Sequence, residues 1–535
     1  MLRLKFDLHQ SWVLPLAIFI FFIPLLILEY PLLQYSKGVF VYPMDEAYIR
    51  MTIAKNIALH GSWGLSGNEF SSSSSSILYP LILAMLYKVI GINLICPFLI
   101  NLATAIICLT VIQRWLLREG IKPTNQLLIL AAIILLTPVP VLVVGGMEHM
   151  LQVLFSVLFL IRFCTWLTSG GQYLPWNIYT VGILVTATRY EGLFIILVAC
   201  VALLIKRRLR LCIILGMLSV LPVVIFGIYS LRHDAYFFPT SLVMKAFPIP
   251  LDGVTVRKFF TDDIFTRLVY TYNTVGSIAT TRLLIVLPLL YWLFFRSMKE
   301  LVLYRAMLVF ILCVTILHLI FGSVVLFFRY EAYLMAFSVL VAGPLIAKGG
   351  STLWPRKGIA ARWVAAWTCI LLLYPLFSRG WAAFKDIYSE CLNTYEQAYQ
   401  AAGFIHRYYN EAAVITDDIG TASYQSEGRK MDISTGIGYM EIARSREGSY
   451  LRVDYADYLI KQERPALAII RDNRYSYELL QHWVKVADWL TNNQVVFRST
   501  HLSIYALDSA SAPMLKRQLQ VYEPLLPSAV KAVYP

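Results

Sequence analysis

Two adjacent carboxylates, Asp45 and Glu46, lie in a polar segment between the first two long apolar runs of the chain. Aspartate is favoured at the start of a helix, and the residues that follow predict a helix to about Leu59. On that helix Glu46 precedes Arg50 at i,i+4, the order that favours an ion pair. Asp45 lies on the neighbouring face, so we expect it to be unpartnered and available as a general base.

A simpler interpretation is that Asp45 is only a helix cap and a partner of the helix dipole. The residues alone leave both interpretations open. Asn56 shares the predicted face of Asp45 and could support it. The serine run at 71–76 has the low-complexity composition of a flexible, exposed segment.

Other charged residues lie within or beside apolar runs. Arg189 and Glu191 interrupt such a run, and an ionisable residue inside a span is a candidate functional residue. The alternative is that these two residues pair with each other, or with Glu148, to hold helices together. Lys245 and Arg329 are expected at external membrane edges, where lysine can also act as an interfacial anchor and arginine can mark a helix end.

The composition is that of a polytopic membrane protein. The 535 residues are 58% hydrophobic and 15% charged, with mean hydropathy +0.64, whereas soluble domains are roughly 25% charged. The net charge is +14, but the basic residues cluster in short loops such as 206–210, which fits the positive-inside rule and argues against nucleic-acid binding. The eight cysteines form no C-x-x-C pair, so neither a zinc site nor a disulfide framework is indicated.

Eleven apolar segments are long enough to span a bilayer. The predicted spans are near 12–33, 77–91, 95–116, 126–144, 148–168, 178–205, 211–231, 275–296, 302–323, 330–347 and 361–378. Two places are ambiguous, because 77–116 could be two spans or one, and 178–205 could be one broken span or two.

The loop charges predict a cytoplasmic N-terminus and external segments at 34–76, at 232–274 and after 379. The composition changes near Phe377, and alternating helix-like and strand-like runs predict an external α/β domain. We therefore expect a membrane domain at 1–378 and a soluble domain at 379–535. The chain lacks an N-x-S/T sequon, which favours a bacterial inner membrane over a secretory-pathway membrane.

Several motifs, taken in order, resemble the GT-C superfamily of glycosyltransferases that use polyprenyl-phosphate sugars. They are similar to the arabinofuranosyltransferase-like and protein mannosyltransferase-like branch. The motifs are MDEAYIRMTIAKNIALHGSWGLSGNEFSSSSSSILYP (44–80), GGMEHM (145–150), TRYEG (188–192), RHDAYFFPTSLVMKA (232–246), FFRYEAY (327–333) and DDIGTASYQSEGRKMDISTGIG (417–438). The sequence departs from that branch at Tyr190, where proline is usual, and at 238–240, where Leu-Pro-Asn is usual.

The resemblance implies transfer of a sugar from a polyprenyl phosphate to a glycan, lipid or protein acceptor at the external face, with inversion. It assigns the role of general base to Asp45. The residues that it implies for the donor phosphate are Lys245, Arg329 and Arg189, and the supporting residues are Glu46, Asn56, Glu148, Glu191 and Tyr330. No cofactor is expected, although Asp45 and Glu46 could ligate Mg²⁺ or Mn²⁺. The rival function is a transporter or flippase of lipid-linked sugars, for which the sequence offers no repeated halves.

Overall fold

The computed structural model describes residues 12–67, 69–245, 301–322, 327–353, 359–434, 446–447, 450–451, 453–491 and 499–535. The predicted span at 275–296 lies outside the described residues. Helices and strands are numbered below in chain order over the described part of the chain.

The apolar runs of the first 400 residues form helices that pack side by side. These helices are α1 (Val13–Tyr35), α2 (Asp45–His60), α3 (Leu78–Ile90), α4 (Cys96–Arg118), α5 (Pro123–Leu136), α6 (Val139–Val144), α7 (His149–Ser169), α8 (Trp176–Thr188), α9 (Gly192–Ile205), α10 (Leu209–Leu231), α11 (Thr240–Lys245), α12 (Val302–Phe321), α13 (Ala332–Leu353) and α14 (Ile359–Thr394). Among the described residues, α1, α4, α7, α10 and α12 are each long and apolar enough to cross a membrane. Further, shorter apolar helices accompany them, so the protein is a multi-pass helical membrane protein, and the total of eleven spans stays a prediction.

Both ambiguous segments contain two helices each. The segment 77–116 forms α3 and α4, which are separated by a short turn. The segment 178–205 breaks after Thr188, because Arg189 has extended backbone angles, φ −155° and ψ 147°. Helix α9 then starts at Gly192, so Arg189 and Glu191 lie at a break between two apolar helices.

The apolar core of the membrane part lies among α1, α4, α5, α7, α12 and α13. Large aromatic side chains fill it, and the rings of Phe159 and Phe163 stack 5.4 Å apart. The ring of Phe310 on α12 packs 5.8 Å from Phe163, which joins α7 to α12.

Helix α14 crosses the boundary that the sequence predicts at 378/379. Its 36 residues continue into a π-helical turn at Tyr395–Tyr399 and then into α15 (Gln400–Tyr409). The membrane part and the C-terminal region are therefore joined by continuous helical backbone, and the division into two domains stays a prediction.

The C-terminal region forms a mixed sheet with helices, as predicted. Its elements are β1 (Val414–Thr416), α16 (Ile419–Gln425), β2 (Lys430–Met431), β3 (Arg446–Glu447), β4 (Tyr450–Leu451), α17 (Val453–Glu463), β5 (Ala468–Ile470), α18 (Tyr477–Leu480), β6 (Val484–Thr491), β7 (His501–Ala506), α19 (Ala512–Tyr522) and β8 (Val530–Val533). The strand order is β2-β1-β5-β7-β6-β8. Strand β1 pairs in parallel with β2 and β5, and the remaining pairs in this sheet are antiparallel.

Five of the six serines at 71–76 are buried and Ser75 is half-buried, so the expectation of a flexible, exposed segment is wrong. The run packs against α2 and α10: Arg50 donates to the Ser75 hydroxyl at 2.9 Å, and the Ser230 and Ser72 hydroxyls lie 3.2 Å apart. Serine is small and can satisfy its own hydroxyl locally, as Ser74 does on the Ser76 carbonyl at 2.8 Å. These properties suit a tight interior segment as well as a linker.

Candidate active site

Asp45 is the first residue of α2, and its half-buried carboxylate faces the C-terminal region. The backbone N–H of Gly420 donates to Oδ2 at 2.9 Å, and that of Thr421 donates to Oδ1 at 2.8 Å. The Thr421 hydroxyl also donates to Oδ1, at 2.9 Å. The expectation that Asp45 is unpartnered is therefore wrong, because the fold brings in donors from a segment 375 residues away.

The contact between α2 and α16 depends on a glycine. A Cβ at Gly420 would lie 2.5 Å from the Asp45 carbonyl oxygen and 2.6 Å from the Ile49 nitrogen. The Gly420 carbonyl also accepts a hydrogen bond from the Thr52 hydroxyl at 3.2 Å. One turn further on, Lys55 pairs with Glu427 at 2.9 Å. The start of α16 is thus seated directly on the backbone of α2.

The loop before α16 is anchored in the sheet by two buried acids. Asp417 accepts from the Arg471 backbone N–H at 2.8 Å and from the Tyr475 hydroxyl at 2.5 Å. Asp418 pairs with the Arg471 guanidinium at 2.6 Å. Burial raises the pKa of the Asp417 carboxyl to about 6, and Arg471 opposes this rise. These contacts fix the loop that presents Gly420.

Glu46 pairs with Arg329, whose Nη2 lies 3.4 Å from Oε1 of Glu46. The ion pair expected between Glu46 and Arg50 does not form, because Arg50 pairs with Glu148 instead. Arg50 donates to the backbone carbonyl of Glu46 at 2.7 Å, while its Nε lies 2.5 Å from Oε2 of Glu148. Glu148 is fully buried, so an ion pair there is screened less by water than a pair on the surface of α2.

Arg189 has the partners that the alternative interpretation predicted. It forms two parallel hydrogen bonds with Glu191, at 2.6 and 3.0 Å, and its Nη1 lies 2.7 Å from Oε1 of Glu148. All three side chains are buried. Such a bidentate arrangement orients the guanidinium firmly, so Arg189 is a weaker candidate for binding the donor phosphate.

Tyr330 lies between the two arginines. Its ring centroid is 4.8 Å from the guanidinium carbon of Arg189 and 4.9 Å from that of Arg329. Its hydroxyl accepts from Arg329 at 3.1 Å. His149 lies 3.0 Å from Arg189 through Nε2, which must accept because a guanidinium only donates.

These residues form what we term the buried charge cluster, which consists of Glu46, Arg50, Glu148, Arg189, Glu191 and Arg329. All of them are buried except Glu46, which is half-buried. Three positive and three negative charges balance among these described members. The pair of Arg329 with Glu46 is longer, at 3.4 Å, than the other ion pairs of the cluster, at 2.5 to 2.7 Å. Arg329 is therefore the member whose charge is held least tightly by its carboxylate.

The predicted supporting residue Asn56 is not part of the cluster. The Asn56 side chain donates to the Gly64 carbonyl at 2.9 Å and holds the loop after α2. Lys245 ends α11, and its side chain lies outside the described residues.

A small and mostly apolar pocket adjoins the cluster. Arg329 and His149 are its polar side chains. The residues that line it are Pro43, Met44, Val141, Leu142, Gly145, Met147, His149, Phe327, Arg329 and Ile387. A pocket with apolar walls and a cation at one point suits a ligand that combines an apolar chain with an anionic group.

Sequence reasoning missed three residues of the site. Gly420 and Thr421 follow the acidic pair of the DDIGTAS turn, and a Gly-Thr at a turn gave no indication of a partner on α2. His149 follows Glu148 in GGMEHM, where only the neighbouring glutamate stood out as a charge. The imidazole becomes notable only once Arg189 is placed beside it.

Residues 385–505 match a family model described as Domain of unknown function (DUF8728). No functionally curated protein matches the chain. Among solved structures, the Archaeoglobus fulgidus oligosaccharyltransferase tethered with an acceptor peptide is similar at 11% identity and TM-score 0.51, over 94% of this chain and 75% of its own. ArnT from Cupriavidus metallidurans in the apo state is similar at 12% identity and TM-score 0.51, over 95% of this chain and 99% of its own. ArnT from Cupriavidus metallidurans bound to undecaprenyl phosphate aligns at 13% identity and TM-score 0.49, over 94% of this chain and 98% of its own.

The similarity runs through nearly the whole chain and includes both the membrane helices and the C-terminal region. At these identities it establishes a shared fold. The oligosaccharyltransferase and ArnT are both GT-C glycosyltransferases, so the resemblance drawn from the motifs is confirmed at the level of the fold. The chain has the fold of the GT-C glycosyltransferases.

Proposed function

We propose that this protein is an integral-membrane glycosyltransferase. It transfers a sugar from a polyprenyl-phosphate donor to a hydroxyl group of a cell-envelope glycan, lipid or protein at the external face of the membrane. Asp45 is the general base, and the N-terminus is cytoplasmic. The GT-C fold supports this proposal, and the motif resemblance supplies the class of donor.

The observation that carries the proposal is the hydroxyl contact at Asp45. The Thr421 hydroxyl donates to Oδ1 at 2.9 Å, which is within the reach that proton transfer to a general base requires. An acceptor hydroxyl that takes the same position would have its proton aimed at the carboxylate. The two backbone N–H donors on Asp45 would keep the carboxylate oriented meanwhile.

At the anomeric carbon the reaction forms one bond and breaks one, and a proton moves from the acceptor to the base. The acceptor oxygen attacks the anomeric carbon, the bond from that carbon to the phosphate oxygen breaks, and the hydroxyl proton passes to Asp45. The leaving group is the polyprenyl phosphate, whose developing negative charge needs a cation. A single displacement of this kind inverts the anomeric configuration.

Arg329 is the best-supported cation for that phosphate. It lines the apolar pocket, its ion pair with Glu46 is the longest of the buried charge cluster, and Tyr330 supports its guanidinium. An incoming phosphate can therefore replace Glu46 as its partner. Arg189 adds positive charge behind Tyr330 without leaving its carboxylates.

The test is to incubate the purified protein with a radiolabelled polyprenyl-phosphate sugar and an acceptor mixture. An enzyme releases free lipid phosphate and labels the acceptor, whereas a transporter leaves the donor intact. Arg329→Gln should raise the donor KM by roughly 10- to 100-fold, since a hydrogen bond to a charged group contributes about 1.5–3 kcal/mol.

The exposed Arg407 in α15 offers a matched control, because Arg407→Gln removes the same charge from the C-terminal region. Its donor KM should equal that of the wild type. An intact donor after incubation would refute the proposed function, and an unchanged KM for Arg329→Gln would assign the phosphate to other groups.

A further inference from the structure

The turn that carries Arg329 has an unfavourable backbone. Phe327 and Phe328 both adopt left-handed conformations, with φ of 56° and 55°. Such values are genuine outliers for bulky residues and persist only where the surrounding structure holds them. The same turn continues directly into Arg329 and Tyr330, so its conformation sets where both side chains point.

Arg379 of α14 is placed to hold this turn. Its Nη2 donates to the Phe328 carbonyl at 2.8 Å and to Oε1 of Glu331 at 2.8 Å. Its Nε lies 3.3 Å from the same Glu331 oxygen, and the guanidinium carbon lies 4.7 Å from the Phe328 ring centroid. Arg379 thus contacts both a strained residue and the acid that ends the turn.

The other side of the Arg379 guanidinium is fixed to α5. Nη1 donates to the Leu136 carbonyl at 3.0 Å. The adjacent Gly380 permits this approach, because a Cβ there would lie 2.6 Å from the Leu135 carbonyl oxygen. Arg379 and Glu331 are both buried, so water does not compete for these hydrogen bonds.

We propose that Arg379 is a positioning residue that acts through Arg329. It bridges α5, α14 and the 327–331 turn, and it thereby holds Arg329 against Glu46 and Tyr330. This inference rests on the proposed function, in which Arg329 binds the donor phosphate. Because α14 continues into the C-terminal region, Arg379 also connects that region to the phosphate-binding turn.

If the role of Arg379 is purely structural, its buried ion pair with Glu331 stabilises the fold and does not act through Arg329. A double-mutant cycle separates the two roles, since residues that act through one another show non-additive effects. The variants are Arg379→Gln, Arg329→Gln and both together. Lys385→Gln is the matched control, because Lys385 is exposed on the same helix.

Arg379→Gln should raise the donor KM by at least about tenfold with a smaller change in kcat, because a misplacement of one ångström can cost on the order of a hundredfold. The double variant should match Arg329→Gln alone, and Lys385→Gln should match the wild type. Arg379→Lys should recover part of the loss, since an ammonium keeps the charge but not the planar fork. Additive effects, or an unchanged KM for Arg379→Gln, would overturn the positioning role.

Hydrogen exchange of the 327–331 segment gives a readout that needs no substrate. Exchange there should rise in Arg379→Gln and stay unchanged in Lys385→Gln; equal protection in both variants would overturn the proposal. A wild-type protein that releases no lipid phosphate would refute the proposed function, and the positioning role with it. Additivity in an active enzyme would overturn the positioning role alone.

Discussion

Replacing Asp45 with asparagine removes the proposed base while keeping the size and shape of the side chain. General-base catalysis typically contributes about 10²- to 10⁴-fold to a rate. We therefore expect Asp45→Asn to lower kcat by about that factor, with a smaller effect on the donor KM, because Asp45 is not assigned to the phosphate.

The same substitution also changes the contact between α2 and α16. An asparagine keeps one oxygen, which can still accept from the Thr421 N–H and hydroxyl. Its amide nitrogen then faces the Gly420 N–H, which donates to Oδ2 at 2.9 Å in the wild type. One lost hydrogen bond with an unsatisfied donor costs about 1–2 kcal/mol of stability, so the variant should fold.

Thr421→Val is the stability-matched control. It removes the hydroxyl donor on Oδ1, which is worth about 0.5–1.5 kcal/mol, and leaves the carboxylate in place. The assay compares the rate of lipid-phosphate release at saturating donor with the unfolding temperature, for the wild type and both variants. We expect similar unfolding temperatures for the two variants and a loss of rate in Asp45→Asn that Thr421→Val does not share.

Two results would refute this reasoning. Asp45→Asn with a rate within tenfold of the wild type would remove Asp45 from the chemistry. An equal loss of rate in Thr421→Val would mean that activity depends on the seating of α16 rather than on the carboxylate.

Three other predictions concern the supports of the site. Gly420→Ala should shift α16 away from α2 at a cost of about 1–3 kcal/mol, and limited proteolysis would show faster cleavage of the C-terminal region; unchanged cleavage would contradict it. Glu148→Gln leaves two buried arginines undercompensated and should cost about 3–5 kcal/mol; an unfolding temperature equal to that of the wild type in detergent would contradict it. The raised pKa of Asp417 means that the folded state binds the proton more tightly than the unfolded state, so stability should fall by roughly 2 kcal/mol as pH rises from about 4 to 6. Melting curves across that range should show this slope in the wild type and lose it in Asp417→Asn; equal slopes would contradict it.

Local patterns predicted the helices and much of the charge chemistry. Apolar runs located the membrane helices, and TRYEG marked the break between α8 and α9 because charge and glycine interrupt hydrophobicity. The pairing of Arg189 with Glu191 and Glu148 was one of two interpretations that the sequence left open. Short-range spacing carries this information, so a single sequence is enough to read it.

Contacts between segments that lie far apart in the chain could not be predicted from the sequence. The donors on Asp45 come from Gly420 and Thr421, and no local pattern connects them with α2. The sequence predicted Glu46 as the partner of Arg50, and in the structure Arg50 pairs with the buried Glu148 instead. In both cases the outcome depends on which groups tertiary packing removes from water.

The serine run is a spacer, and its length matters more than the identity of its residues. Its start is tied by the Ser71 N–H to the Trp63 carbonyl at 3.0 Å, and just past its end the Ile77 N–H binds the Ala187 carbonyl at 3.1 Å. Between these ties, the Ser72 carbonyl accepts from Thr240 at 2.7 Å. Loss or gain of a single serine would leave the composition of this stretch almost unchanged. It would nevertheless shift the register of the segment and break one of these backbone hydrogen bonds.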